Sequence, residues 1–228
     1  MPVLGLVHLL WLIGIAAAAL LLAWLCRCGN IAIRSTRRAI GFGLAGNEII
    51  WWVFRYSHEG IRRANLPLQL CDFTLWVTVL ACLTALPVAV EFAYFAGLAG
   101  AGMALLTPDL WSPWPSYPAI YFFLAHGGIV VGCAVLVFGE AKPFRPGAIR
   151  RTFGLLLVYA LVVGGYNAVF GTNYMYLCQK PQNVSLLDWL GPWPVYLAGG
   201  AAVGLALFTL LWLPVRPRVA AENREAGT

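Results

Sequence analysis

"AIGFGLAGNEIIWWVFRY", residues 39–56, is apolar enough to enter a bilayer, yet an asparagine and a glutamate stand side by side near its middle. Whether it crosses sets the side on which every later loop lies. Other apolar stretches near the ~20 residues a spanning helix needs fall at 3–25, 68–86, 90–106, 119–138, 152–170 and 194–213. The run from Leu68 to Leu106 is too long for one span, and Pro87 with Glu91 breaks it into a helical hairpin. Suppose 39–56 crosses and the N-terminus is outside. The inner side then holds eleven basic residues: Arg27, Arg34, Arg37, Arg38, Lys142, Arg145, Arg150, Arg151, Arg216, Arg218 and Arg224. The outer side keeps four, Arg55, Arg62, Arg63 and Lys180. If 39–56 stays on one side, the same residues divide eight to seven, which is no bias. Cytoplasmic loops carry the excess of Lys and Arg. The expectation is therefore an all-α membrane protein of seven transmembrane helices, N-terminus outside and C-terminus inside. Residues 1–215 form its single transmembrane domain and 216–228 a short polar cytoplasmic tail.

Composition points the same way. The 228 residues are 61% hydrophobic and 11% charged, against about half and roughly a quarter in soluble domains. The first apolar run is too long for a cleaved signal peptide and ends in no small-residue cleavage site. A net charge of +6 does not imply nucleic acid, because the basic residues flank apolar runs and suit anionic lipid headgroups. Pro and Trp cluster in "TPDLWSPWPSYP" (107–118) and "LLDWLGPWP" (186–194), both on the outer side in this topology. Indole rings favour the headgroup level, so these read as interfacial loops. "SPWP" and "GPWP" echo each other without making an internal repeat.

Polar groups within spans are costly and need a partner or a task. In this topology Cys71 and Asp72 begin span three from the outside, and His126 lies about two turns into span five. Asp109 closes span four, and Asn167 ends span six just before "GTNYMYLCQKP" (171–181), which holds Asn173 and Tyr174. These residues converge on the outer half of the bundle. Glu48 alone is expected near the midplane, either paired with Arg55 seven residues on or reaching the cavity. A nucleophilic cysteine needs a base and donors for an oxyanion. Cys71 and His126 supply the first pair; Asn173, Asn167 or backbone amides near Gly127–Gly128 are candidate donors, and Asp72 or Asp109 is placed to orient the imidazole. The plain alternatives are a small packing cysteine or a disulfide from Cys71 to Cys178.

The remaining residues carry less. Cys26 and Cys28 lie at the inner end of span one, where packing or palmitoylation is the expected role. Cys82 and Cys133 read as core, His8 as a helix-packing hydrogen bonder, and His58 as a residue of an exposed loop. "NVS" (183–185) has sequon form. No Cys/His spacing resembles a zinc site, and neither metal nor cofactor is implied.

Six segments occur together in one order: "LPLQLC" (66–71), "AYFAGLAGAGMALLTPDL" (93–110), "FFLAHG" (122–127), "YALVVGGYN" (159–167), "NYMYLCQKP" (173–181) and "SLLDWLGPWPVY" (185–196). In these the chain resembles the YwaF-like integral membrane proteins, a bacterial group related to the animal transmembrane protein 164 and, more distantly, to the androgen-induced gene 1 hydrolases. The first two spans carry little of the resemblance. It implies a seven-helix fold and a cysteine-dependent acyltransferase that moves fatty acyl chains from phospholipids onto lysophospholipids, with a thioester between. It makes Cys71 the nucleophile and His126 its base. Asn173, Asn167, Tyr174, Asp72, Asp109 and Glu48 are the supporting residues expected around that pair. The expected partners are membrane phospholipids and lysophospholipids, not nucleic acid, and the expected location is a bacterial cell membrane. Two other functions fit the residues: a lipid esterase that gives the acyl group to water, and a small-solute transporter or binding protein that needs Asn47, Glu48 and Asn173 but not the Cys71 thiol. A non-enzymatic membrane scaffold is a third.

Overall fold

The structure is a computed structural model, and it describes residues 4–110, 112–140, 144–181 and 186–216. Lys142, the sequon at 183–185, Arg218, Arg224 and the tail beyond Arg216 lie outside the described residues. Among the described residues all regular structure is helical. The main elements are α1 (Leu6–Arg27), α2 (Ile33–Glu59), α3 (Leu70–Thr84), α4 (Pro87–Leu106), α5 (Tyr117–Gly139), α6 (Ala148–Phe170) and α7 (Val195–Trp212). Five of these, α1, α4, α5, α6 and α7, are long and apolar enough to cross a membrane. α3 is equally apolar but has only 15 residues, about 22 Å at 1.5 Å per residue. α2 is the opposite case. Its 27 residues reach about 40 Å, but its apolar character is interrupted by Arg34, Arg37, Arg38, Glu48, Arg55 and Glu59.

α2 therefore extends well past the apolar stretch 39–56 at both ends. Its last turn takes in His58, which belongs to the helix rather than to a loop and donates from Nδ1 to the Phe54 carbonyl at 2.7 Å. The hairpin between α3 and α4 forms where Pro87 puts it. α3 stops at Ala85 in the left-handed region (φ 54°), and Pro87 opens α4 at a position where its missing N–H costs nothing. Glu91 does not break the chain. It sits inside α4, 2% exposed, and both its oxygens are gripped by two arginines: Arg145 at 3.0 and 3.3 Å and Arg151 at 2.8 and 3.0 Å. Two forked guanidinium contacts on one carboxylate bolt α4 to the start of α6.

α5 is the centre of the bundle, with 67% of its span buried against 11% for α6 and for α7. Two glycines let its neighbours approach. A Cβ on Gly127 would lie 2.8 Å from Ile15 of α1, and one on Gly128 would lie 2.5 Å from Leu44 of α2. Small residues at such crossings are how membrane helices gain close packing. Polar side chains tie the rest. His8, fully buried, accepts the Leu4 N–H at Nδ1 (2.9 Å) and donates from Nε2 to the Leu105 carbonyl (2.8 Å), so the expected helix-packing role holds and joins α1 to α4. Tyr94 joins α4 to α7 through Leu211 (2.9 Å), and Arg37 reaches the Cys82 carbonyl near the end of α3 (2.9 Å).

Both central helices contain a π-helical turn, Ala93–Gly97 in α4 and Val135–Gly139 at the end of α5. The Cys133 thiol donates to the Ala93 carbonyl at 3.3 Å, so this buried core cysteine also joins α5 to the first of these turns. The outward faces of α1 and α6 expose Leu10, Ile13, Leu20, Val158, Leu161 and Val162, as a lipid-facing surface requires. Trp189 and Trp193 are exposed in the loop before α7.

Candidate active site

The start of α3 explains why glutamine and aspartate flank Cys71. Gln69 is the N-cap of the helix and Asp72 its third residue, and the two form a capping box in which the Gln69 N–H donates to Asp72 Oδ2 at 3.1 Å. Gln69 Oε1 also accepts the Met175 N–H at 2.9 Å and so ties the helix start to the 171–181 strap. Cys71 is the second residue of α3. Its backbone N–H, like that of Leu70, is one of the donors a helix N-terminus leaves without an intrahelical partner. The thiol is free, and so is that of Cys178, so no disulfide joins them.

Cys71 opens onto a cavity of about 550 Å³ that is walled by four helices. α2 contributes Trp51, Arg55 and Glu59; α3 contributes Cys71, Asp72 and Leu75; the end of α4 gives Ala104 and Thr107; α5 gives Tyr121, Phe122, Ala125, His126 and Ile129. Gln69, Asp109 and Tyr176 line its end beside the 171–181 strap. The structure thus brings Cys71, Asp72, Asp109 and His126 to one cavity. Its size suits a small-molecule site, and apolar walls with a few convergent polar groups are the usual pattern.

His126 is buried in α5, and its Nδ1 lies 2.8 Å from the Phe122 carbonyl one turn back. A carbonyl oxygen only accepts, so Nδ1 carries the proton and the neutral ring presents Nε2 as its acceptor. The group that fixes this tautomer is a backbone carbonyl. Asp72, one of the two acids expected to orient the ring, gives one oxygen, Oδ2, to the capping box, and Nδ1 of the ring is held by Phe122.

Other expected supporting residues fall elsewhere. Asn167 closes the strap after α6: it donates to the Tyr174 carbonyl (3.0 Å) and accepts from the Tyr174 N–H (2.9 Å) and the Thr172 hydroxyl (2.8 Å). Asn173 donates to the Gln179 carbonyl (2.9 Å) and accepts from the N–H groups of Cys178 and Gln179. It lines a second cavity of about 360 Å³ with Tyr174, and that cavity shares Gln69, Asp109 and Tyr176 with the first. The Tyr174 hydroxyl accepts the Leu66 N–H (2.6 Å) and donates to the Arg63 carbonyl (2.9 Å), stapling the 60–69 loop to the strap. The amides near Gly127–Gly128 are in mid-helix and serve the helix, so they do not face an oxyanion.

Glu48 is fully buried, and its partner is not Arg55. Tyr121 of α5 donates to Glu48 Oε2 at 2.6 Å, while Arg55 turns to Glu59 one turn on, at 3.3 Å. The correction follows from helix geometry: residues seven apart stand about two turns, roughly 10 Å, from each other, whereas i, i+4 neighbours meet. Outside the spans, burial pushes the Tyr176 hydroxyl above the usual phenol range, and the Asp109 carboxylate pushes it further. It stays protonated beside the cavity. Burial opposes ionisation of Glu59, but the Asn65 amide and the Arg55 guanidinium outweigh it and hold that carboxyl below its ordinary value.

Tyr121, Tyr176 and the Arg55–Glu59 pair were not expected at the cavity. Tyr121 left one readable signal. A glutamate in mid-span calls for a donor at the same depth on another helix, and "YFFLAH" (121–126) supplies a hydroxyl within two turns of His126.

Neither the curated proteins nor the solved structures contain a match to the chain. The model of the TMEM164 family, in contrast, matches residues 3–212. That range runs from the head of α1 to the last residue of α7, and takes in every wall of the cavity, Cys71 and His126 with it. The chain is an integral membrane protein of the TMEM164 family.

Proposed function

We propose that the protein is a lipid acyltransferase that works through a thioester on Cys71. The observation that carries this reading is the shared cavity: a free thiol at a helix N-terminus and an imidazole with its acceptor nitrogen available face one partly apolar space. A phospholipid presents an ester there. Nε2 of His126 takes the Cys71 proton, and sulfur attacks the ester carbonyl. The α3 N-terminus is the natural holder of the oxyanion, since its amides and dipole favour negative charge. Collapse of the tetrahedral species breaks the ester C–O bond. The leaving alkoxide takes the proton from His126 and departs as a lysolipid. The hydroxyl of a second lysolipid then replaces sulfur at the thioester carbonyl, and Cys71 returns to a thiol. Leu75, Ala104, Phe122, Ala125 and Ile129 make part of the wall apolar, and an acyl chain seated on them would limit access of water and favour transfer over hydrolysis.

The topology proposed with this mechanism has seven spans, N-terminus outside, with α2 and α3 crossing alongside the five longer helices. The eleven-to-four distribution of basic residues supports it, as does the bolt at Glu91, which gathers Arg145 and Arg151 at one end of the bundle. It puts the cavity in the outer half. The testing experiment is intact mass spectrometry of the purified protein with phospholipid. We expect an acyl adduct that hydroxylamine removes and that is lost in Cys71→Ala. An adduct that survives in Cys71→Ala, or lysolipid turnover in that variant, sinks the thioester.

A further inference from the structure

Tyr121 occupies an unusual position at the cavity. It is 7% exposed and lines the wall beside His126, and Trp51 stacks on its ring with centroids 4.4 Å apart and planes 13° from parallel. Its one hydroxyl proton is committed to Glu48 Oε2 at 2.6 Å, behind the cavity wall. A phenol has one donor and two lone pairs. With the donor spent, Tyr121 offers the cavity acceptance alone. It is therefore a poor partner for an ester carbonyl or an oxyanion, both of which need donors. It suits a group that brings its own O–H. Cys71 lines the same cavity, so such a group shares the space in which the thioester forms.

We propose that Tyr121, backed by Glu48, is the site that holds and deprotonates the acceptor hydroxyl in the second half of the reaction. The inference rests on the thioester reading above and adds a division of labour: His126 serves acylation of Cys71, and the Tyr121–Glu48 pair serves its deacylation by lysolipid. As the lysolipid oxygen bonds to the thioester carbonyl carbon, its proton passes to the Tyr121 oxygen while Tyr121's own proton passes to Glu48 Oε2. The C–S bond breaks and leaves a Cys71 thiolate. The proton then returns from Glu48 through Tyr121 to sulfur, and the site is reset with no net gain or loss. Tyr121 touches the substrate; Glu48 acts through it. The full burial of Glu48 fits this task, because a carboxylate kept from water has no competing route for the proton.

The test separates the two half-reactions in Tyr121→Phe and Glu48→Gln. Glutamine keeps an acceptor for the Tyr121 hydroxyl but cannot take its proton. Cys71 is first loaded from phospholipid in a single turnover, and lysophosphatidylcholine is then added while the adduct mass is followed. Removal of a general base typically costs 10²–10⁴-fold, so in both variants we expect deacylation at least about 100-fold slower, with acylation slowed far less. Equal slowing of both steps overturns the proposal, as does deacylation at the wild-type rate. A binding arm, run in Cys71→Ala, needs no turnover. Lysophosphatidylcholine should bind roughly five- to tenfold more tightly than its deoxy analogue, which lacks the free glycerol hydroxyl, as expected for one hydrogen bond. Adding Tyr121→Phe should erase that preference. If the preference persists, Tyr121 does not hold the hydroxyl. If no adduct ever forms in the wild type while the preference is present and Tyr121-dependent, the transferase reading falls but the hydroxyl site stands.

Discussion

Replacing Asp72 with asparagine separates an imidazole held by an acid from one held by the backbone. His126 Nδ1 donates to the Phe122 carbonyl at 2.8 Å, and Asp72 Oδ2 accepts the Gln69 N–H at 3.1 Å. If the carbonyl is the orienting group, Asp72 contributes to the site only through the start of α3. The asparagine side chain would still offer an oxygen to the Gln69 N–H, so the cap is largely kept. What is lost is one negative charge at a helix N-terminus, about 0.3–1 kcal/mol. Asp72→Ala removes only the Asp72 half of the capping box, because the Gln69 side chain still accepts the residue 72 N–H, so the loss of a complete N-cap, about 0.5–2 kcal/mol, is its upper bound. Taken wholly as misplacement of Cys71, the larger figure is roughly a 30-fold effect on rate, since 1.36 kcal/mol is tenfold. His126→Ala removes the base itself and should slow adduct formation by about 10²–10⁴-fold while leaving the site of labelling at Cys71. The assay is the rate of acyl-adduct formation in a single turnover, measured side by side in the three variants, with thermal stability in detergent as a control. We expect Asp72→Asn within about fivefold of wild type, Asp72→Ala between, and His126→Ala far below. A fall in Asp72→Asn as deep as that of His126→Ala, with stability unchanged, would refute the backbone assignment and return the acid to the dyad.

Reporter fusions at Arg63 and Arg145 should report opposite sides of the membrane; the same side for both would break the seven-span topology. Glu91→Ala leaves two partly exposed arginines facing an emptied, buried position. Loss of a buried partner typically costs 3–5 kcal/mol, and with Arg145 and Arg151 half in solvent the lower end is expected, read as a clear fall in melting temperature in detergent. Gly128→Ala should destabilise by about 1–3 kcal/mol, because its Cβ would fall 2.5 Å from the buried Leu44 side chain. Gly43→Ala, with nothing within 4 Å of the added carbon, should be close to neutral in the same melt. Similar losses for both glycines would mean that helix contact at Gly128 is not what limits α5.

The helices were readable because hydrophobic runs, Pro87 and the distribution of arginine act along the chain. The α3–α4 hairpin broke where Pro87 placed it, and Cys71, Asp72, Asp109 and His126 reached one cavity from a depth argument alone. What the sequence hid was pairing between helices. Glu48 and Tyr121 are 73 positions apart, and no periodicity links them; nor does anything in the sequence distinguish a histidine held by its own helix from one held by an acid. Asn167 and Asn173 looked like oxyanion donors because their chemistry allows it, yet both help shape the strap and neither lines the Cys71 cavity. The ends of α2 lie beyond its apolar stretch for another reason. Apolar character stops at 39 and 56, but hydrogen bonding along the backbone carries the helix on into polar residues at both ends.

The π turn at Ala93–Gly97 bears on how this chain is to be compared with others. A turn of this kind fits one more residue into a helix than an α-turn does, and each residue of an α-helix advances the next by about 100°. Deleting a single residue from 93–97 would therefore let the turn relax to an ordinary α-turn, with both halves of α4 keeping the faces they present now. Ala104 and Thr107 would stay on the cavity wall, and the Leu105 carbonyl would stay with His8. The same deletion between the turn and Ala104 would instead swing these residues away by about 100°. A one-residue gap at 93–97 of an alignment thus leaves the α4 wall intact, whereas a gap just after it marks a homologue whose α4 presents a different face to Cys71.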